Sequence, residues 1–169
     1  MDVARLFALD HNFPQPIVEV LQEYQADASF VRVDQIDERL PRFEDWELLL
    51  ALHHHELPWE GLITTDDSML NLPRELAVIM QTQLTLVVAA GAGHDPVKAT
   101  GLMFAQIGGI CARTSRDKPQ IWHLKTTSRD AKDPWGYFQR AAEHRSVSST
   151  ELKQSVWLTD EELASDPLN

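Results

Sequence analysis

Short apolar runs alternate with amphipathic segments along most of this chain. The runs that lead into Asp10, Asp66 and Ala89 have the length and composition of buried strands. Between the first two, apolar residues recur at helical spacing over 17–24. Strands and helices that alternate through short connections predict an α/β fold, a three-layer α/β/α sandwich with a mainly parallel sheet.

The pattern predicts five strands and the helices that connect them. Helices are expected to begin near Pro16, Asp45, Pro73 and Pro96, because proline and acidic residues suit a first helical turn. The helix at Pro96 is expected to run to Cys111, with Gly101 and Gly108 allowing close packing. The strands are expected at 5–10, 29–33, 61–65, 84–89 and 120–124.

The chain changes character near residue 125. Residues 1–125 carry the alternating pattern and are expected to form one domain. Residues 126–169 are expected to form a helical extension that is flexible in part, with a link at 146–150 and a short acidic helix at 151–169.

Composition and charge limit the functional classes. The 169 residues include 15 basic and 26 acidic side chains, and the net charge of −11 argues against a protein that holds nucleic acid by an overall positive field. Residues 1–97 contain five basic and 17 acidic residues, whereas residues 98–169 contain ten and nine. A single cysteine, with no signal-peptide or membrane-spanning pattern, predicts a cytoplasmic protein without membrane association.

Three aspartates occupy positions that suit a metal site. Asp10 and Asp66 each follow a predicted strand, and Asp45 opens the helix between those strands, on its inward stripe. The carboxyl ends of parallel strands lie at one edge of a sheet, where α/β folds bind ligands. Carboxylates gathered there repel one another unless a cation lies among them, which favours Mg²⁺ or Mn²⁺. A helix cap is the alternative role for Asp45.

Three sequence segments resemble a known family. They are Leu-Asp-His-Asn-Phe-Pro at 9–14, Glu-Asp-Trp-Glu-Leu-Leu at 44–49 and Leu-Ile-Thr-Thr-Asp at 62–66. In order, spacing and placement they resemble the acidic motifs of PIN-like nuclease domains, closest to the compact branch whose first motif reads approximately Leu-Asp-Glu-Asn-Leu-Pro. The resemblance covers about residues 5–125.

The resemblance implies a PIN-like fold and a metal-dependent ribonuclease that hydrolyses RNA phosphodiesters. Asp10, Asp45 and Asp66 become the catalytic residues and the ligands of Mg²⁺ or Mn²⁺. Asn12 becomes a group that orients Asp10 or a bound water. Many members are toxins of bacterial toxin–antitoxin pairs, so an antitoxin protein is an implied partner.

The sequence departs from the broader family around the second and third motifs. The third motif commonly carries a further acid two residues after the first, but here Ser68 stands there and Asp67 is displaced by one position. One metal ion, rather than two, is therefore an open alternative. The additional acid of larger PIN domains has only three loosely placed candidates, namely Asp34, Asp37 and Glu38.

Other motifs have simpler interpretations. The run 53–55 of three histidines is expected to be an exposed helix end, because consecutive side chains point around a helix and do not converge on one ion. His11 is expected to be polar surface, with proton transfer as the alternative. The turn at 91–93 has two glycines but lacks the third glycine of a dinucleotide-binding loop, so a structural role is expected.

Basic and aromatic residues mix beyond Leu124. Lys125, Arg129, Trp135 and Arg140 have the composition that holds single-stranded RNA through phosphate contacts and stacking. An amphipathic helix that packs on the domain, or across a homodimer, is the alternative explanation.

Three functions remain open on the sequence. The first is a Mg²⁺- or Mn²⁺-dependent endoribonuclease, as the toxin of a toxin–antitoxin pair. The second is a PIN-like scaffold that acts through protein contacts with little catalysis. The third is another magnesium phosphoesterase of α/β type, since aspartates at strand ends also serve such enzymes.

Overall fold

A sheet of five parallel strands forms the centre of the computed structural model, which describes residues 4–13, 15–89, 95–125 and 130–169. The order across the sheet is β2-β1-β3-β4-β5, and every neighbouring pair is parallel. Arg129 and the turn at 91–93 lie outside the described residues. The strands are β1 (Arg5–Leu9), β2 (Ala28–Arg32), β3 (Trp59–Thr64), β4 (Thr85–Ala89) and β5 (Gln120–Leu124).

Helices connect the strands and follow the last of them. Among the described residues they are α1 (Gln15–Tyr24), α2 (Val33–Ile36), α3 (Asp45–His54), α4 (Pro73–Thr82), α5 (Pro96–Arg113), α6 (Pro134–His144), α7 (Ser149–Val156) and α8 (Asp160–Ala164). Short 3₁₀ turns lie at Leu40–Arg42 and Asp67–Asn71. Within the described parts of the chain, no helix combines the length and apolar content needed to cross a membrane.

The alternation of side chains along the strands divides the core into two halves. Ala8 and Leu62 belong to one buried cluster, while their neighbours Leu9 and Ile63 belong to the other. Successive side chains of a strand point to opposite faces, so each half of the core covers one face of the sheet. The nearly continuous apolar sequence of β4, fully buried, is the pattern of a strand covered on both faces.

Different helices cover the two faces. Residues of α3, α4, α6 and α7 share the core that contains Ala8, whereas residues of α1 and α5 share the core that contains Leu9. The three-layer α/β/α fold expected from the sequence is therefore confirmed, and the sheet is wholly parallel.

The C-terminal helices pack on the same face as α3 and α4. Phe138, Leu152 and Leu158 are buried in that half of the core. The side-chain amide of Gln81 on α4 donates to the carbonyl of Leu158 at 3.0 Å, and its oxygen accepts from the Leu158 amide at 3.0 Å. The helix α6 also contacts the 3₁₀ turn Asp67–Asn71.

Some local expectations were wrong. Ser149 and Thr150 belong to α7, which Ser148 caps, so the expected link at 146–150 is shorter. The terminal segment forms two helices, because Thr159 caps a second one, α8. Gly101 allows no close packing, since an added Cβ there would meet nothing within 4 Å.

Candidate functional site

Asp10 lies at the carboxyl end of β1 and is held by two side chains. Its Oδ2 accepts a hydrogen bond from the Thr64 hydroxyl at 2.9 Å, and its Oδ1 lies 2.9 Å from Nδ1 of His11. Asp10 follows Ala8 by two positions and therefore points to the face covered by α3 and α4. Its backbone amide continues the pairing with β3 by donating to the Ile63 carbonyl at 2.9 Å.

Thr64 links the first and third acidic motifs. Its side chain is fully buried, and its hydroxyl oxygen accepts from the Asp66 amide at 3.0 Å while it donates to Asp10. No role was expected for Thr64 from the sequence. The signal that could have identified Thr64 is its place in the alternation of β3. Thr64 follows Leu62 by two positions and so faces the same side of the sheet as Asp10.

Asp66 lies at the carboxyl end of the neighbouring strand, β3. Its Oδ1 accepts from the Ser68 amide at 2.9 Å and so caps the 3₁₀ turn that begins at Asp67. Ser68 therefore contacts Asp66 through its backbone. Asp67 is exposed and faces α6 across a cavity.

Asp45 is the first residue of α3, but it does not cap the helix. The cap is Glu44, whose side chain accepts from the Glu47 amide while the Glu47 side chain accepts from the Glu44 amide at 3.1 Å. The alternative role of Asp45 as the cap is therefore wrong. Burial raises the pKa of the Asp45 carboxyl, and the negative charges of Asp10 and Asp66 raise it further. Asp45 is thus within electrostatic range of both strand-end aspartates.

Glu75 is a fourth carboxylate near this edge, and the sequence analysis missed it. It lies in the first turn of α4 and is only 8% exposed. Burial raises the pKa of Glu75, and the charges of Asp45 and Glu44 raise it further. An acid at a buried position of an amphipathic helix is the signal that could have identified it.

The expected supporting residues are placed differently. Asn12 is exposed in the turn after β1, and within the described part of the chain no hydrogen bond joins it to Asp10. Asp34 pairs with Arg32 at 3.0 Å. Asp37 pairs with Arg39 at 2.8 Å, and hydrogen bonds from Arg39 lower the pKa of Asp37 to about 2. Both of these acids are therefore ion-paired with arginine neighbours.

The acidic side chains do not form a closed ligand set. Among the residues that the structure describes, no three His, Cys, Asp or Glu side chains are arranged so that they could hold one metal ion. The Asp10 carboxylate is occupied by Thr64 and His11. A shared ion would therefore require side chains at this edge to rotate toward it.

The three histidines at the end of α3 each have a separate partner. His53 Nδ1 lies 3.2 Å from a guanidinium nitrogen of Arg116, and His54 Nε2 lies 2.7 Å from the Leu163 carbonyl. His55 Nδ1 accepts from the Leu57 amide at 3.0 Å. All three are half-buried, so the expected exposed helix end is wrong. Burial lowers the pKa of His53, with His54 and Arg116 lowering it further.

The residues expected to contact RNA separate into two places. Lys125 and Arg140 line one cavity of 740 Å³ beside α6, which we call the α6 cavity. Trp135 stacks on Phe138, with ring centroids 5.4 Å apart, and does not line that cavity.

Comparisons with known proteins found no matching family model, no matching curated protein and no matching solved structure.

Proposed function

We propose that this protein is a divalent-cation-dependent phosphodiester hydrolase that acts on RNA, with Asp10, Asp45 and Asp66 as the metal ligands. The observation that carries the proposal is that one buried Thr64 hydroxyl at the carboxyl edge of the sheet donates to the Asp10 carboxylate and accepts from the Asp66 backbone amide. This is the edge where open parallel α/β sheets bind ligands.

The chemistry of the side chains fits a hard cation. The candidate ligands are carboxylates, and oxygen ligands are those that Mg²⁺ and Mn²⁺ prefer. The negative charges of both strand-end aspartates repel the Asp45 carboxylate, and a cation among the three would offset that repulsion. When bound, such an ion neutralises charge on the phosphate and lowers the pKa of a coordinated water.

The remaining residues position this acidic edge. Thr64 restrains the Asp10 carboxylate, and the backbone amide of Ser68 restrains that of Asp66. His11 lies against Asp10 and is exposed, so its imidazole would be available for proton transfer if a phosphate bound at this edge. No nucleophile from the protein is required in this scheme.

The resemblance to PIN-like domains also suggests a cellular role for the proposed hydrolase. The protein would act in the cytoplasm as the toxin of a toxin–antitoxin pair, and its antitoxin would cover the acidic edge.

A scaffold with little catalysis is the second candidate. The absence, within the described residues, of three closely arranged ligand side chains favours it. In that case the protein would act through the partners it binds.

Calorimetric titration with Mn²⁺ separates the two candidates. The wild-type protein is expected to bind Mn²⁺, and Asp10→Asn, Asp45→Asn and Asp66→Asn are each expected to weaken binding at least tenfold. Cleavage of a labelled single-stranded RNA in Mn²⁺ should fall with the same three variants. Bound Mn²⁺ should also raise the free energy of unfolding, by about 2.7 kcal/mol when the free Mn²⁺ concentration is 100 times the dissociation constant.

Asp117→Asn is the matched control. Asp117 precedes β5 and lies at the opposite edge of the parallel sheet, where its carboxylate accepts from the nearby Ser115 hydroxyl at 2.7 Å. This variant should bind Mn²⁺ and cleave RNA like the wild type. Equal Mn²⁺ affinity for all four variants would contradict the hydrolase and favour the scaffold.

A further inference from the structure

The α6 cavity lies at the same edge of the sheet as the acidic residues. Asp67, Leu70 and Asn71 of the 3₁₀ turn form one side of it, and His123 and Lys125 come from the end of β5. The other side comes from α6 and the two residues before it, namely Lys132, Asp133, Gly136, Tyr137, Arg140 and His144.

The side chains around the α6 cavity are basic, in contrast to the rest of the chain. Lys125, Lys132 and Arg140 line it together with two carboxylates, so its formal charge is +1 with both histidines neutral, whereas the whole chain carries −11. One of these carboxylates, Asp133, caps α6 by accepting from the Trp135 amide at 2.9 Å. Within the described residues, none of the three cations forms an ion pair with a carboxylate.

The local field inside the α6 cavity is consistent with this count. Burial lowers the pKa of His123, and the charges of Lys125 and Arg140 lower it further, whereas Asp67 opposes them. A group that enters beside His123 therefore meets a net excess of positive charge. An anionic ligand is favoured there.

The shape and lining indicate more than a bare anion. The volume of 740 Å³ falls within the range of sites that enclose small organic ligands, roughly 300–1,000 Å³. Tyr137 and the buried Leu70 provide apolar surface, and the Arg140 guanidinium lies over the Tyr137 ring at 4.5 Å from its centroid. Cations combined with an aromatic ring are the usual means of holding a phosphate together with a base.

The α6 cavity is connected directly to the acidic edge. The 3₁₀ turn that Asp66 caps contributes Asp67, Leu70 and Asn71 to the cavity wall, and α6 packs against that turn. Two strand spacings separate β3 from β5, which is about 10 Å along the edge. A single polynucleotide strand could therefore contact both places at once.

We propose that the α6 cavity binds one nucleotide of a single-stranded RNA, with Lys125, Lys132 and Arg140 holding its phosphate and Tyr137 contacting its base. A phosphate further along the same strand then lies at Asp10 and Asp66. This inference rests on the proposed hydrolase function, because it assigns the substrate strand a second contact beside the acidic edge. A free nucleoside monophosphate shares the same chemistry, and the experiment separates the two sources.

The test measures binding without cleavage. The affinity of a fluorescently labelled, single-stranded RNA of eight nucleotides is measured by anisotropy in excess EDTA, at several salt concentrations. Arg140→Gln, and separately the double variant Lys125→Gln/Lys132→Gln, should weaken binding at least tenfold, since hydrogen bonds to charged groups are lost. The slope of log affinity against log salt should fall by about 0.7 for each phosphate contact removed.

Lys118→Gln is the matched control, because Lys118 precedes β5 and lies at the opposite edge of the sheet. It should leave both the affinity and the salt slope unchanged. Each variant is first checked for an unchanged thermal midpoint, since its residue is exposed and replacement should not disturb folding. A nucleoside monophosphate is titrated in parallel and should compete with RNA only weakly.

Several outcomes would overturn the inference. Equal RNA affinity for the wild type and for both cavity variants would exclude the α6 cavity as a binding site. Binding of the monophosphate as tight as that of the RNA would assign the cavity to free nucleotides instead. Failure of the proposed hydrolase gives a different result. Asp10→Asn would then bind Mn²⁺ as tightly as the wild type, while Arg140→Gln would still weaken RNA binding.

Discussion

The Thr64 hydroxyl donates to Oδ2 of Asp10 at 2.9 Å, although 54 positions separate these residues in the chain. The same oxygen accepts the amide of Asp66. A single buried hydroxyl thus holds the carboxylate of the aspartate after β1 and the backbone of the aspartate after β3. The geometry of the acidic edge therefore depends on Thr64, a neutral residue that bonds to both Asp10 and Asp66.

Replacing Thr64 tests this dependence. Thr64→Val preserves the shape of the side chain but leaves the Asp66 amide and one Asp10 oxygen without their partner. We expect the free energy of unfolding to fall by about 1–3 kcal/mol, because two polar groups at this partly buried site lose their partner. Urea denaturation followed by circular dichroism measures the change.

Thr85→Val is the matched control. Thr85 is a fully buried threonine on the adjacent strand β4, and among the described residues its hydroxyl has no hydrogen-bond partner. Removing an unsatisfied hydroxyl should leave stability unchanged or raise it slightly. If both variants lost the same stability, the Thr64 hydrogen bonds would contribute nothing specific.

The carboxyl of Asp45 provides a second prediction. The negative charges of Asp10 and Asp66 help to raise its pKa, so Asp10→Asn and Asp66→Asn should each lower the Asp45 pKa toward its ordinary value. The pKa should remain elevated in both variants, since burial is the largest cause. Carboxyl ¹³C NMR titration measures it directly, and Asp117→Asn should leave it unchanged. An unaltered Asp45 pKa in both variants would mean that neither Asp10 nor Asp66 interacts electrostatically with Asp45.

Gly61 on β3 provides a third prediction, which concerns the stability of the sheet. A Cβ at this position would lie 1.7 Å from the carbonyl oxygen of Thr85 on β4, so Gly61→Ala must push two paired strands apart. We expect a loss of about 3 kcal/mol, at the upper end of overpacking costs. Gly101→Ala, in the open helix position on α5, should instead stabilise the protein by about 0.4–1 kcal/mol. Thermal unfolding of the pair checks the difference, and similar midpoints would refute the close approach of the strands.

The environment of His53 predicts a pH dependence of stability. Its pKa is lowered from 6.5 in the folded protein, so the unfolded chain binds more protons just below that pH. The stability that neutral His53 contributes is fully present above pH 6.5 and is lost as the pH falls through the lowered pKa. His53→Asn keeps an acceptor for Arg116 but cannot titrate. The stability difference between wild type and variant should therefore shrink toward acid, and a constant difference from pH 5 to 8 would exclude the effect.

The order of elements was predictable from the sequence because it is encoded locally. Each strand is a short apolar run, and helix starts such as Pro73 and Pro96 carry their own signals. The short helix α2 was missed because no side chain caps it. The division of the terminal segment at Thr159 was missed although Thr159 and Glu162 have the spacing of a capping box. Glu75 carries a local signal in its place on the buried side of α4, but its proximity to Asp45 depends on the packing of α4 against α3.

The sequence by itself determined the three-layer architecture and the location of Asp10 and Asp66 at strand ends, because periodicity and strand polarity are properties of neighbouring residues. Only the tertiary structure decided that Thr64 joins those aspartates and that α6 closes a basic cavity against the turn after Asp66. The physical reason is that such contacts depend on which strands pair and on which helices cover a face of the sheet. That choice is made by the packing of buried side chains far apart in the chain.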